Sequence, residues 1–308
     1  MGSTKKLSLV LAAILFVFLL GGCGEKSKDI ENKGTGIAVT DMTGREVTLE
    51  KPATKVVALT ASDCEILYAI GAGNTLIARG EYCNYPEEAL KVPAVSSGSE
   101  TNIEQIIALK PEVVIMNTMD QKTEQIKALE NAGIKVVMNN AKTIEEVYTS
   151  IEVIGKVVGK EKEAADLIEK MKKGFEKITD SAEKDSNKTV YFEVSPLEYG
   201  LWTAGGGTFM DEIAGMLGVK NIFSDVSGWA EISQEQVIER NPDYIVTIFM
   251  GMEVQKSPAE EIMSRKGWEG ISAVKSGKVI TIDSDEISRP GPRLVEAAED
   301  LREFFYGK

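Results

Sequence analysis

The sequence predicts an α/β protein of two lobes, each with a central, mostly parallel sheet flanked by helices, joined by one long rigid α-helix. Three observations carry this. Glu104–Met116 (EQIIALKPEVVIM) is nearly repeated at Glu235–Thr247 (EQVIERNPDYIVT): an apolar helical face, a proline that ends the helix, then a β-branched strand. Ile70-Gly-Ala-Gly-Asn74 is echoed by Leu217-Gly-Val-Lys-Asn221 at a different offset, which implies related lobes with different loops rather than a rigid tandem array. Between the lobes, apolar residues at Ile144, Val147, Ile151, Ile154 and Val158, then Ala165, Ile168, Met171 and Phe175, keep helical spacing, with a break at Gly159-Lys160. Ligands of open α/β sheets bind beyond the carboxyl ends of the strands, so two facing lobes enclose a binding cleft.

In chain order, Lys5 and Lys6 precede an apolar run, Leu7–Leu20, too short to span a membrane comfortably, and a small-residue site follows. Residues 1–22 therefore read as a secretory signal. Leu20-Gly21-Gly22-Cys23 fits the bacterial lipobox, making Cys23 the acylated first residue of the mature chain, and residues 23–36 are a polar tether. The N-terminal lobe is expected over 37–142. It opens with a hairpin around Thr43-Gly44, followed by a strand at Lys55–Leu59 and a helix capped at Thr60-Ala61-Ser62-Asp63. A strand at Thr75–Ala78, helix Ile103–Leu109, strand Val113–Met116, helix Gln121–Asn131 and strand Lys135–Met138 complete it. The interlobe helix is assigned to 143–183. The C-terminal lobe, 184–308, starts with strand Thr189–Val194 and ends in helix Leu294–Tyr306.

Composition removes several functions. The net charge of −13 argues against nucleic acid or an anionic membrane surface as partner. There is no histidine, which excludes His-based metal capture, Ser-His and Cys-His catalysis, and His-ligated haem. Apart from Cys23 only Cys64 and Cys83 remain, read as two free thiols. No catalytic residues, resident metal or cofactor are assigned. A surface enzyme of two-lobed α/β form is the rival class, and it would need a nucleophile with its base, or a metal set.

Four motifs in order, Asp41-Met-Thr-Gly-Arg45, Tyr82-Cys-Asn-Tyr-Pro86, Asn102-Ile-Glu104 with Leu109-Lys-Pro111, and Ser288-Arg-Pro-Gly-Pro-Arg293, resemble the substrate-binding lipoproteins of cobalamin, siderophore and haem ABC importers. The resemblance covers essentially the whole mature chain and is closest to the cobalamin binders. It implies a monomer held by lipid at the outer face of the bacterial cell membrane. Such a protein captures a metal chelate, a corrinoid first, with a ferric siderophore or Met-ligated haem as alternatives. It delivers the chelate to a permease dimer with ATPase subunits. By the same resemblance Tyr82, Tyr85 and Trp229 line the cleft, Asp285 and Arg289 reach polar groups of the ligand, and one glutamate per lobe docks on the permease, Glu87 or Glu88 with Glu235. The loops Ser96–Glu100 and Met116–Asp120 depart from the cobalamin binders, which bears on the exact ligand.

The residues themselves agree. A large flat ligand calls for aromatic platforms, and Tyr82, Trp202, Trp229 and Phe249 fall in expected loops at strand or helix ends, where ordinary packing is the alternative. Asp285 and Arg289 could equally form a surface pair, and the glutamates could be solvated helix starts. Of the eleven methionines, Met119 and Met250 or Met252 sit where haem iron could be ligated, though core or rim packing is the better reading. Gly205-Gly-Gly-Thr208 lacks the lysine and spacing of a phosphate loop, which favours a tight turn.

Overall fold

The computed structural model describes residues 36–117, 123–182, 187–249 and 257–307. The signal and tether, Cys23, Met119, Met250 and Met252 lie outside the described residues.

The chain enters as an antiparallel hairpin, β1 (Ile37–Thr40) and β2 (Glu46–Leu49). Its turn is the Asp41-Met-Thr-Gly-Arg45 motif, and the structure gives that motif a local reason. The Asp41 carboxylate accepts from Thr43 N (2.9 Å), Thr43 Oγ1 (2.7 Å) and Arg45 N (3.0 Å), and its second oxygen reaches Met138 N at 3.2 Å. Gly44 supplies the positive φ the turn requires.

The first sheet follows: β3 (Val56–Ala58), α1 (Ala61–Ala69), β4 (Leu76–Gly80), β5 (Ala94–Val95), α2 (Ile103–Leu109), β6 (Val113–Met116), α3 (Thr123–Asn131) and β7 (Lys135–Met138). Its order is β5-β4-β3-β6-β7, all parallel. The expected interlobe helix is two helices, α4 (Ile144–Val158) and α5 (Glu161–Asp180), turning at Gly159 in the left-handed conformation. That is where the spacing predicts a break, and a Cβ on Gly159 would meet the Pro52 ring at 2.8 Å. Helix α4 belongs to the first lobe, packing on α1 and β1, so the crossing is made by α5, which lies on the C-terminal helix.

The second lobe comprises β8 (Thr189–Glu193), β9 (Trp202–Ala204), α6 (Phe209–Met216), β10 (Lys220–Asn221), β11 (Trp229–Glu231), α7 (Gln234–Arg240) and β12 (Tyr244–Phe249). It continues through α8 (Pro258–Met263), α9 (Ser272–Lys275), β13 (Val279–Asp283), α10 (Ser284–Ser288) and α11 (Leu294–Tyr306). Strands β10, β12 and β13 run parallel with β8, but an antiparallel ribbon, β9 with β11, extends the β8 edge. This ribbon is absent from the sequence reading.

The repeat seen in the sequence is a repeat of backbone. Helices α2 and α7 both end on a non-glycine residue of positive φ, Lys110 (51°) and Asn241 (43°), each followed by proline. The acid after each proline then clamps the start of the central strand. Glu112 accepts from Thr54 N and Lys55 N (2.6 and 3.1 Å), and Asp243 from Thr189 N (2.9 Å).

Because successive strand residues face opposite sides, Val56, Ala58, Val113 and Ile115 of one lobe and Val190, Phe192, Tyr244 and Val246 of the other enter one continuous core. Ile151, Ile154, Ile168, Met171 and Phe175 of α4 and α5 fill its middle. The alternate residues, Val57 and Val114 or Tyr191 and Ile245, face two separate outer cores. The lobes thus share their largest buried cluster.

Candidate functional site

A cavity of about 520 Å³ opens between the lobes at the carboxyl ends of the strands. The first lobe contributes Ser62 at the start of α1, Asn117 just after β6, and Asn139, Asn140 and Lys142 just after β7. The second contributes Gly206–Phe209 before and into α6, Ser227–Trp229 where β11 begins, and Ser288 and Pro290. One wall is rich in carboxamides, and the other carries the indole of Trp229, 48% exposed.

The amide wall is braced from behind. Asn139, itself buried, donates to the carboxylate of Asp63, and its carbonyl oxygen accepts from Ser150 Oγ. Asp63 is fully buried at the first turn of α1. Thr60 does not cap the helix backbone as expected; its hydroxyl donates to Asp63 instead. Burial pushes the Asp63 carboxyl up from 3.8 to about 6, outweighing the opposing hydrogen bonds from Thr60 and Asn139.

Close approach shapes the opposite wall. A Cβ on Gly205 would lie 2.2 Å from the Val226 carbonyl oxygen, and one on Gly206 2.5 Å from that of Ser224. Asp211 and Glu212 occupy the first turn of α6. The glycine run is a tight turn, and the acids beside it disfavour an anion there.

The lobes are fastened on either side of this cavity. On one side the Glu212 carboxylate accepts from Ile144 N at 2.9 Å, closing the start of α4 across the cleft. On the other, Glu65 of α1 meets two arginines of the Ser288–Arg293 motif. Arg289 Nη1 lies 2.9 Å from Glu65 Oε1; Arg293 donates through Nε (3.1 Å) and Nη2 (2.9 Å). Arg289 also pairs with Asp285 at 2.7 Å and donates to Asn84 Oδ1 (2.8 Å) and the Tyr82 carbonyl (3.2 Å). Asn84 Nδ2 returns to Asp285 at 3.1 Å, and the Arg293 guanidinium stacks 4.3 Å from the Tyr85 ring centre.

Among the expected ligand residues, then, Trp229 lines the cavity. Tyr82 (71% exposed) and Tyr85 are not among the lining residues; their loop meets Arg289 and Arg293, next in the chain to the lining residues Ser288 and Pro290. Asp285 and Arg289 engage each other and the first lobe rather than standing free in the cleft. Trp202 and Trp229 are not in loops: Trp202 opens β9 opposite Glu231, and Trp229 opens β11 opposite Ala204. Phe249 is the last residue of β12, in register with Asp283, and its side chain lies outside the described residues. Glu87 and Glu88 are exposed on a short 3-10 turn, and Glu235 is exposed in the first turn of α7. Cys64 and Cys83 are buried and unlinked; contact with Cys64, together with burial, pushes the Cys83 thiol up. Among the described residues no group of three or more acidic or thiol side chains is placed to hold a metal ion.

The residues missed by sequence reasoning are Asn117, Asn139, Asn140, Lys142, Glu65 and Arg293. The first four had a signal, since each follows a strand at its carboxyl end. Glu65 had none, because its partners lie more than half the chain away.

A two-lobed α/β protein with a lined cavity between its lobes has the architecture of a substrate-binding protein. The model of the periplasmic binding protein family matches residues 56–286, and the chain belongs to that family. It is 35% identical over 314 residues to YvrC, an ABC transporter substrate-binding lipoprotein of Bacillus subtilis, covering 98% of each chain. It is 29% identical over 248 residues to the vitamin B12-binding protein of Photorhabdus laumondii, covering 80% of this chain and 86% of that one. Among solved structures, one described as a possible iron-binding periplasmic solute-binding protein of Staphylococcus epidermidis superposes with a TM-score of 0.73 at 33% identity. That superposition covers 83% of this chain and 100% of the other.

Proposed function

We propose that this chain is the extracytoplasmic, lipid-anchored substrate-binding protein of an ABC importer, and that it captures a corrinoid in the interlobe cavity for delivery to the permease. The observation that carries the ligand is the pairing of the amide wall, Asn117, Asn139 and Asn140, with the Trp229 indole opposite. A corrinoid offers the match: a broad apolar ring face for the indole and peripheral carboxamides for the asparagines. Likeness to vitamin B12-binding proteins supports the same reading. An iron chelate is the second reading, favoured by the likeness to the possible iron-binding protein of S. epidermidis.

Anchoring is assigned to Cys23 and docking to Glu87 or Glu88 with Glu235, the last two sites being exposed carboxylates, one on each lobe. Family membership and the lipoprotein relative support the location. The test is calorimetry with cyanocobalamin, haem and a ferric siderophore, alongside mass spectrometry of any ligand carried through purification. Tight binding of cyanocobalamin alone is expected. Binding of the ferric siderophore alone sinks the corrinoid and keeps the importer; a small polar ligand in place of all three sinks the chelate reading.

A further inference from the structure

We propose that Glu65 is a positioning residue: through Arg289 and Arg293 it holds the aromatic loop Tyr82–Pro86 at a fixed place beside the cavity. The inference rests on the reading of that cavity as the ligand site. Glu65 lies on a helix of the first lobe, 3% exposed, and both of its oxygens are taken by arginines of the second. Those arginines do not stop at Glu65. Arg289 grips the loop at the Tyr82 carbonyl and the Asn84 side chain, and Arg293 lies over the Tyr85 ring. The loop is held from its own lobe as well, because the buried Arg79 side chain donates to the carbonyls of Gly80, Glu81, Ala89 and Val92.

The charges explain why Glu65 is central. Two guanidiniums converge within hydrogen-bond distance of one carboxylate; Asp285 flanks Arg289 and Glu286 flanks Arg293, but Glu65 is the one charge the two arginines share and the most deeply buried of the three. Take the charge away and the arginines separate, releasing the loop they carry. The side chains of Tyr82 and Tyr85 would then have to be ordered each time a ligand binds, which weakens binding. Asn84, exposed and bonded to both Asp285 and Arg289, offers a gentler way to uncouple the loop, since its loss strands no buried charge.

The experiment is hydrogen exchange on the ligand-free mature protein, paired with calorimetry using cyanocobalamin, for the parent, Glu65→Gln and Asn84→Ala. Amides of residues 82–85 are expected to exchange about tenfold or more faster in both variants, while those of β6 and β12 keep their protection. In Asn84→Ala the melting temperature should stay unchanged while cyanocobalamin affinity falls by about tenfold. Unchanged exchange at 82–85 in both variants, or a loss of stability with no local effect, overturns the proposal and leaves Glu65 a plain stability element. Faster loop exchange in a protein whose parent does not bind cyanocobalamin upholds the positioning role and overturns the corrinoid reading instead.

Discussion

The side-chain amide of Asn139 donates to the fully buried carboxylate of Asp63, so one wall of the cavity leans on a buried acid. The folded carboxyl holds its proton up to about pH 6, and the free side chain only to 3.8. Above pH 6 the folded state therefore carries the full cost of the buried charge, on the order of 3 kcal/mol. Acidification through 6 relieves that cost, and the relief is complete below 3.8. Asp63→Asn removes the charge and keeps an acceptor for the Asn139 amide, while its own amide nitrogen donates to the Thr60 hydroxyl instead of accepting from it. It should raise the melting temperature at pH 7.5 and lose most of that advantage at pH 4.5. A stability difference that does not change with pH would show that the charge on Asp63 is inconsequential.

Trp229→Ala should weaken cyanocobalamin binding by about ten- to a hundred-fold, the worth of roughly 1–3 kcal/mol of aromatic burial. The indole is half exposed without ligand, so stability should change by less than about 1 kcal/mol. Calorimetry and thermal melts on one preparation separate the two effects.

Because the lobes share one core, they should unfold together. Phe175→Ala, in the middle of that core and 6% exposed, should cost about 3–5 kcal/mol and leave a single calorimetric transition. Two separated transitions would mean that the lobes are stable apart. The same coupling predicts that scattering curves with and without ligand nearly superimpose.

Charge reversal at Glu87 and Glu88 together with Glu235 should abolish uptake by the importer and leave ligand affinity intact. Their exposure away from the cavity lining is the basis, and parallel loss of affinity would place them in the cleft instead.

Cys23→Ser should release the protein from membranes. A variant that stays membrane-bound without detergent would refute the anchor.

Much of the fold was legible because its signals are local. The helical spacing of 144–158 and 161–180, the break at Gly159, and the paired Pro111 and Pro242 each act within one or two turns of chain. The ribbon of β9 and β11 was not legible. Trp202–Ala204 and Trp229–Glu231 are three-residue strands whose pairing depends on an intervening helix and on glycine contacts between Gly205 or Gly206 and the 224–226 loop. The site divided the same way. Trp229 was read from its residue type and place and does line the cavity; the Asp285–Arg289 pair was offered as an alternative, whereas their contacts with Glu65 and Asn84 could not be read because those partners are neighbours only in three dimensions.

Glu212 on Ile144 and the arginines on Glu65 fasten the two jaws on either flank of the cavity, and helix α5 fixes their spacing from behind. If those fastenings hold when a ligand enters, such a molecule would act as a caliper rather than a trap, gauging its cargo by thickness. A ligand too thin to touch both jaws leaves a water layer that the protein cannot squeeze out by closing, and one too thick must break the seam to enter. Discrimination by gap width needs no moving part, and it favours rigid, plate-like molecules over flexible ones of equal mass.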